Sequence, residues 1–180
     1  MPKNFFEELK WRGLIQDSTP GVDEELEKKS LSAYIGFDPT SDSLHIGSLV
    51  QLLILKHFQE YGHKPILLIG GATGMIGDPS GKSKERNLLS ERDISHNVEK
   101  IKNQVSKFLD FKKQKNPALI LNNHDWIGKL NIIDFFRDYG KTLTVNYMMS
   151  KESVKKRISP GQSDGMSFTE FTYQLFQAYD

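Results

Sequence analysis

Apolar side chains recur at alternating four- and three-residue steps in Ile94, Val98, Ile101, Val105 and Phe108, which is the spacing of one helix face turned to a core. Residues 44–62, LHIGSLVQLLILKHFQEYG, predict a long, mostly apolar helix stopped at Gly62. KPILLIGG (64–71) is continuously apolar and short, which predicts a buried strand. LSAYIGFD (31–38) and PALILNN (117–123) read as two more strands, and NIIDFFRDYG (131–140) as a helix ending at Gly140. Residues 4–13 predict a short amphipathic helix, and the polar, acidic residues 15–30 a loop with a weak helix. The order strand, helix, strand, helix, strand, helix predicts an α/β fold, a parallel sheet with helices on its faces. Ligands in such folds sit beyond the carboxyl ends of the strands. That rule selects residues 36–47, 70–86 and 122–126.

Composition narrows the picture. At 180 residues the chain fits one domain, and it has no internal repeat, low-complexity tract or linker. It contains no cysteine, which excludes a disulfide framework and thiol chemistry and suits a reducing compartment. The sequence has no signal peptide and no apolar run of membrane-spanning length. The formal net charge of +1 announces no nucleic-acid partner. Two basic clusters, Lys112, Lys113 and Lys115, and Lys155, Lys156 and Arg157, read as solvated faces.

The glycine-rich stretch GGATGMIGDPSGKSKER (70–86) invites two phosphate-binding readings, and both fail on register. A Walker A loop needs a glycine where Ile76 stands, and Pro79 removes an amide from its nest. The dinucleotide fingerprint needs Gly-x-Gly, whereas the glycines here are Gly71, Gly74 and Gly77. The turn YIGFDPTSDSLHIGSL is more informative. There a strand ends, Asp38 and Thr40 follow, and His45 and Gly47 open a helix. Helix N-termini attract anions, and threonine and histidine can donate hydrogen bonds to phosphate oxygens. Gly47 would let a flat group approach the backbone.

At the other end, Ser167 and Glu170 have capping-box spacing before an apolar run. Phe168, Phe171, Leu175 and Ala178 fall on one side of the predicted helix, and Tyr173, Gln177 and Asp180 on the other. By periodicity alone that polar stripe is a wet face. Tyr34 alone is a core strand tyrosine, and Asp78 alone a turn residue before proline.

Taken together, YIGFDPTSDSLHIGSL, GGATGMIGDPSGK, NNHDWIG, VNYMMSKESVKKRI and SFTEFTYQLFQAYD resemble the class I aminoacyl-tRNA synthetases, and more narrowly their bacterial tyrosyl branch. The resemblance runs from Trp11 to the end. It implies a Rossmann-like nucleotide-binding fold and a ligase that activates tyrosine with ATP and passes the tyrosyl group to the 3′ end of tRNA(Tyr). ATP with Mg2+ would be a substrate, with no tightly bound cofactor and no resident metal. By the match, Thr40, His45, Lys82 and Arg86 would act on the pyrophosphate end. Gly36, Asp38, His45, Gly47 and Ser48 would hold the nucleotide. Asp78, Tyr173 and Gln177 would accept the tyrosine ammonium, and Tyr34 and Asp180 would meet its phenol.

Ser48 stands where the signature carries a second histidine. The resemblance also implies a cytoplasmic homodimer with Phe168 as an interface residue, no membrane contact, and further mobile-loop and tRNA-binding regions beyond these 180 residues. Residues 1–180 are then expected to be the N-terminal part of a catalytic domain, inactive in isolation. Two rivals are a tryptophan-activating relative and a non-catalytic module that binds RNA or protein.

Overall fold

The computed structural model describes residues 3–78, 89–159 and 165–180. Two short helices, α1 (Phe5–Trp11) and α2 (Val22–Lys28), precede strand β1 (Ser32–Phe37). Helix α3 (Ile46–Glu60) crosses to β2 (Lys64–Ile69), which pairs with β1 in parallel, Ser32 opposite Lys64 and Phe37 opposite Ile69. A one-turn helix α4 (Thr73–Ile76) and then α5 (Glu91–Val105) lead to β3 (Leu119–Asn122), and the sheet order is β1-β2-β3. The rest is helical: α6 (His124–Ile127), α7 (Ile132–Asp138), a 3₁₀ turn (Gly140–Thr142), α8 (Val145–Ser150), α9 (Glu152–Ile158) and α10 (Phe168–Gln177). None of the described helices is long and apolar enough to cross a membrane.

The parallel sheet and its helical crossovers bear out the α/β reading. β2, between two neighbours, has Pro65, Leu67, Leu68 and Ile69 buried, whereas most of β1 is exposed. The stripe Ile94, Val98, Ile101 and Val105 is buried as its spacing predicts, but the fifth place goes to Leu109. The helix stops at Val105, so 3.6-residue periodicity no longer governs Phe108.

The chain divides into two compact units, each assembled from separate stretches: 1–37, 41–69 and 98–121 in the first, 38–40, 70–97 and 122–180 in the second. In the first, Phe58 meets Phe5 edge-on at 5.0 Å and stacks on His63 at 4.5 Å. Two buried amides close its loops. Gln59 donates to the carbonyl oxygens of Asp110 and Asn116 (2.6 and 3.0 Å), and Asn116 donates to those of Gln59 and His63 (2.7 and 2.8 Å). In the second unit, Phe135 stacks on Phe176 at 5.0 Å. Arg157, on α9, is only 2% exposed and grips Glu170 of α10 with both prongs, at 3.1 and 2.9 Å. Its reading as part of a solvated basic face is thus overturned. Lys155 and Lys156 are exposed as expected, but Arg157 sits one helical step away and faces a buried carboxylate.

Candidate functional site

β1 ends at Phe37 and is followed by a tight turn in which the Thr40 amide donates to the Asp38 carbonyl at 2.9 Å. Pro39 at its centre has the φ that such a three-residue turn needs. The Asp38 carboxylate accepts from the Thr73 hydroxyl through Oδ1 (2.9 Å) and from the Tyr173 hydroxyl through Oδ2 (3.1 Å). Gly70 passes so close to this carboxylate that a Cβ there would collide with Asp38 and Thr73.

Thr73 also accepts from the Asn123 side chain (3.1 Å). Asn123, fully buried just past β3, donates to Asp180 Oδ1 (3.0 Å) and accepts from the Ala72 amide (2.8 Å). A continuous polar chain thus runs Tyr173, Asp38, Thr73, Asn123, Asp180. Burial pushes the Tyr173 phenol well above its usual range, and the charges of Asp38 and Asp78 add to the effect. It therefore stays protonated and its proton is committed to Asp38. Burial also raises the Asp180 carboxyl, against the opposing hydrogen bond from Asn123.

Asp78, Tyr173 and Gln177 line one small cleft of about 50 Å³, with Val154, Glu170 and Gln174 around them. The cleft offers a carboxylate, a phenolic oxygen whose own proton points elsewhere, and an amide. Glu170, on the same wall, is already paired with Arg157. The stripe of α10 is therefore only partly wet. Tyr173 is 6% exposed, while Gln177 is exposed. On the apolar side Leu175 is buried, whereas Phe168 is 72% exposed and Ala178 is exposed. Ser167 caps the helix as its spacing predicts, accepting from the Glu170 amide at 3.1 Å.

The remaining predicted residues are dispersed. Thr40 is exposed on its turn. In the first unit, Gly36 is on β1 and Tyr34, also on β1, is half exposed. His45 is the N-cap of α3, its Nδ1 accepting from the Gly47 amide at 3.0 Å. The second amide of the helix is thus taken by the imidazole, which leaves Nε2 as the ring nitrogen able to donate. A Cβ on Gly47 would come within 2.8 Å of that ring, so this glycine already has a local reason. Ser48 is buried. Lys82 and Arg86 lie outside the described residues. Sequence reasoning missed Thr73 and Asn123. The strand-end rule had selected the segment containing Asn123 without singling it out, and Thr73 lies among glycines that read as loop.

The family described as tRNA synthetases class I (W and Y) matches residues 26–180. The tyrosine–tRNA ligase of Flavobacterium johnsoniae is 62% identical over 99% of this chain, and that of Bacteroides fragilis 60% over 98%. The chain spans 41% of the length of each. The C-terminally truncated mitochondrial tyrosyl-tRNA synthetase of Aspergillus nidulans superposes over 99% of this chain and 53% of its own, with a TM-score of 0.88 and 30% identity.

Proposed function

The chain belongs to the class I tRNA synthetases of the tryptophan and tyrosine type, and on that premise we propose that its protein activates tyrosine with ATP and transfers it to tRNA(Tyr). The observation that carries this reading is the cleft in which Asp78, Tyr173 and Gln177 converge.

The tyrosine ammonium has three protons and needs three acceptors. Asp78 offers its carboxylate, Gln177 its amide oxygen, and Tyr173 the lone pairs of an oxygen whose proton goes to Asp38. Asp180, steadied by Asn123, accepts the substrate's phenolic proton. Phenylalanine would leave that partly buried carboxylate without its donor, a penalty that rejects it. Tyr34, Gly36, His45, Gly47 and Ser48, in the first unit, take their roles from the resemblance alone.

In the first step the substrate carboxylate oxygen attacks the α-phosphorus of ATP in line, and the bond to pyrophosphate breaks. Negative charge builds on the leaving oxygens. In the second unit the Thr40 hydroxyl is a donor suited to it; His45, Lys82 and Arg86 are assigned there by resemblance. Mg2+ would arrive with the nucleotide. In the second step a hydroxyl of the 3′-terminal ribose attacks the tyrosyl carbonyl and AMP leaves. The bacterial relatives support a cytoplasmic protein. The exposed Ile132, Ile133, Val145 and Phe168 of the second unit support pairing with a second copy.

Amino-acid-dependent ATP–pyrophosphate exchange by the full-length protein tests the reading. Exchange is expected with tyrosine and not with phenylalanine. No exchange with tyrosine, or equal exchange with tryptophan, overturns it.

A further inference from the structure

Asn97 lies within α5, buried, and its side chain donates to the main-chain carbonyl of Pro39 at 2.9 Å. Neither periodicity nor any motif marks it. Its partner is the residue before Thr40.

Pro39 is the one residue between the anchored Asp38 and the exposed Thr40. Its ring fixes φ, so ψ is the only soft torsion that Pro39 contributes to the placement of Thr40. That torsion orients a single peptide plane, with the Pro39 carbonyl on one edge and the Thr40 amide on the other. Both edges are held, the carbonyl by Asn97 at 2.9 Å and the amide by the Asp38 carbonyl at 2.9 Å. Behind the ring, a Cβ on Gly74 would come within 3.1 Å of Pro39 Cδ, so α4 closes the other side. One bond alone would leave the plane free to rock about it. Two fix the peptide plane from which Thr40 departs, which leaves only its own φ and χ1 to aim the hydroxyl.

We propose that Asn97 is a positioning residue for Thr40 in the adenylate-forming step, acting through the Pro39–Thr40 peptide plane. This rests on the tyrosine-activating reading given above. Donors to developing charge must be held to about 0.5 Å, and a displacement of about 1 Å costs on the order of 100-fold in rate. Asn97 contributes nothing to binding tyrosine. Its effect falls on the step in which charge moves onto pyrophosphate.

The test is a double-variant cycle in the full-length protein, read by tyrosine-dependent ATP–pyrophosphate exchange. Asn97→Leu, of similar size, removes the donor. It is expected to lower kcat by about 10- to 100-fold with KM for tyrosine unchanged within about twofold. In a Thr40→Ala background the same change is expected to cost no more than about twofold, because the group it positions is gone. Asn97→Asp, also without the amide donor, carries the same cycle if the leucine variant does not fold. Unchanged kcat, a rise in KM matching the fall in kcat, or losses that multiply in the double variant each overturn the proposal. If the unaltered protein shows no exchange, the tyrosine-activating reading falls and takes this one with it. If it exchanges and the losses multiply, only the role of Asn97 is lost.

Discussion

Tyr173 donates its hydroxyl proton to Asp38 at 3.1 Å across 135 positions of chain, tying the middle of α10 to the turn that ends β1. The bond decides the polarity of the cleft, because a phenol whose proton is spoken for can only accept from what enters. Tyr173→Phe removes that acceptor and one donor to Asp38. A hydrogen bond to a charged group contributes about 1.5–3 kcal/mol, so KM for tyrosine is expected to rise by about 10- to 150-fold. KM for ATP should hold. Steady-state exchange kinetics check both, and an unchanged KM for tyrosine would count against the ammonium role.

The polar chain reaches Asp180 through Asn123, which uses both amide protons and its oxygen on Thr73, Asp180 and Ala72. Asn123→Ala leaves a buried amide and hydroxyl short of partners, at a cost of about 2–3 kcal/mol. Urea unfolding measures that loss. Asn123→Asp sets a second carboxylate beside Asp180 and is expected to abolish tyrosine binding by calorimetry.

The parts of this molecule that were legible in the sequence are those determined locally. The cap at Ser167, the stop at Gly62 and the stripe along α5 each depend on residues within a turn or two. The short helices α6, α8 and α9 carry too few turns for a period to emerge. Periodicity alone makes Tyr173 part of a wet face because its partner Asp38 is remote in sequence, and it cannot tell whether an apolar residue such as Phe168 faces a core or stands uncovered. Asp78, Tyr173 and Gln177, which line one cleft, are grouped in the sequence only through the family resemblance. Thr73, Asn123 and Asn97 stayed hidden because buried amides and hydroxyls bonded to groups distant in sequence leave no local pattern.

The Arg157–Glu170 pair is the clearest such case. Removing one member of a buried pair strands the other charge, whereas removing both can be nearly neutral. Arg157→Met alone is expected to destabilise by about 3–5 kcal/mol. Adding Glu170→Leu should recover most of that loss, as measured by denaturant unfolding. Equal loss in the single and double variants would mean that packing, not charge, governs the site.

His63 sits under Phe5 and Phe58, and its Nδ1 accepts the Leu31 amide at 3.2 Å. Burial lowers its pKa from the ordinary 6.5. The unfolded chain therefore takes up a proton near that value while the folded one does not. Stability from this group is complete above about pH 6.5 and falls as pH drops, by at most about 1.4 kcal/mol per unit, until the lowered native value is reached. Thermal melts between pH 8 and 5 should show a steeper acid-side loss in the unaltered protein than in His63→Leu.

Phe168 stands at the first turn of α10, capped by Ser167 and 72% exposed. A phenylalanine held out by a well-formed cap costs nothing to present and gains about 1.5–3 kcal/mol when a partner covers it. In a two-fold dimer each contact occurs twice, so one substitution removes two such contacts. Phe168→Asp also brings two charges into the same apolar seam, where they must be desolvated. The combined loss is at least about 3–6 kcal/mol, which weakens dimerisation by two to four powers of ten. Sedimentation of the full-length protein at micromolar concentration should then show a monomer in place of a dimer. An unchanged sedimentation coefficient would overturn the proposed pairing through this face and leave Phe168 as an isolated apolar side chain.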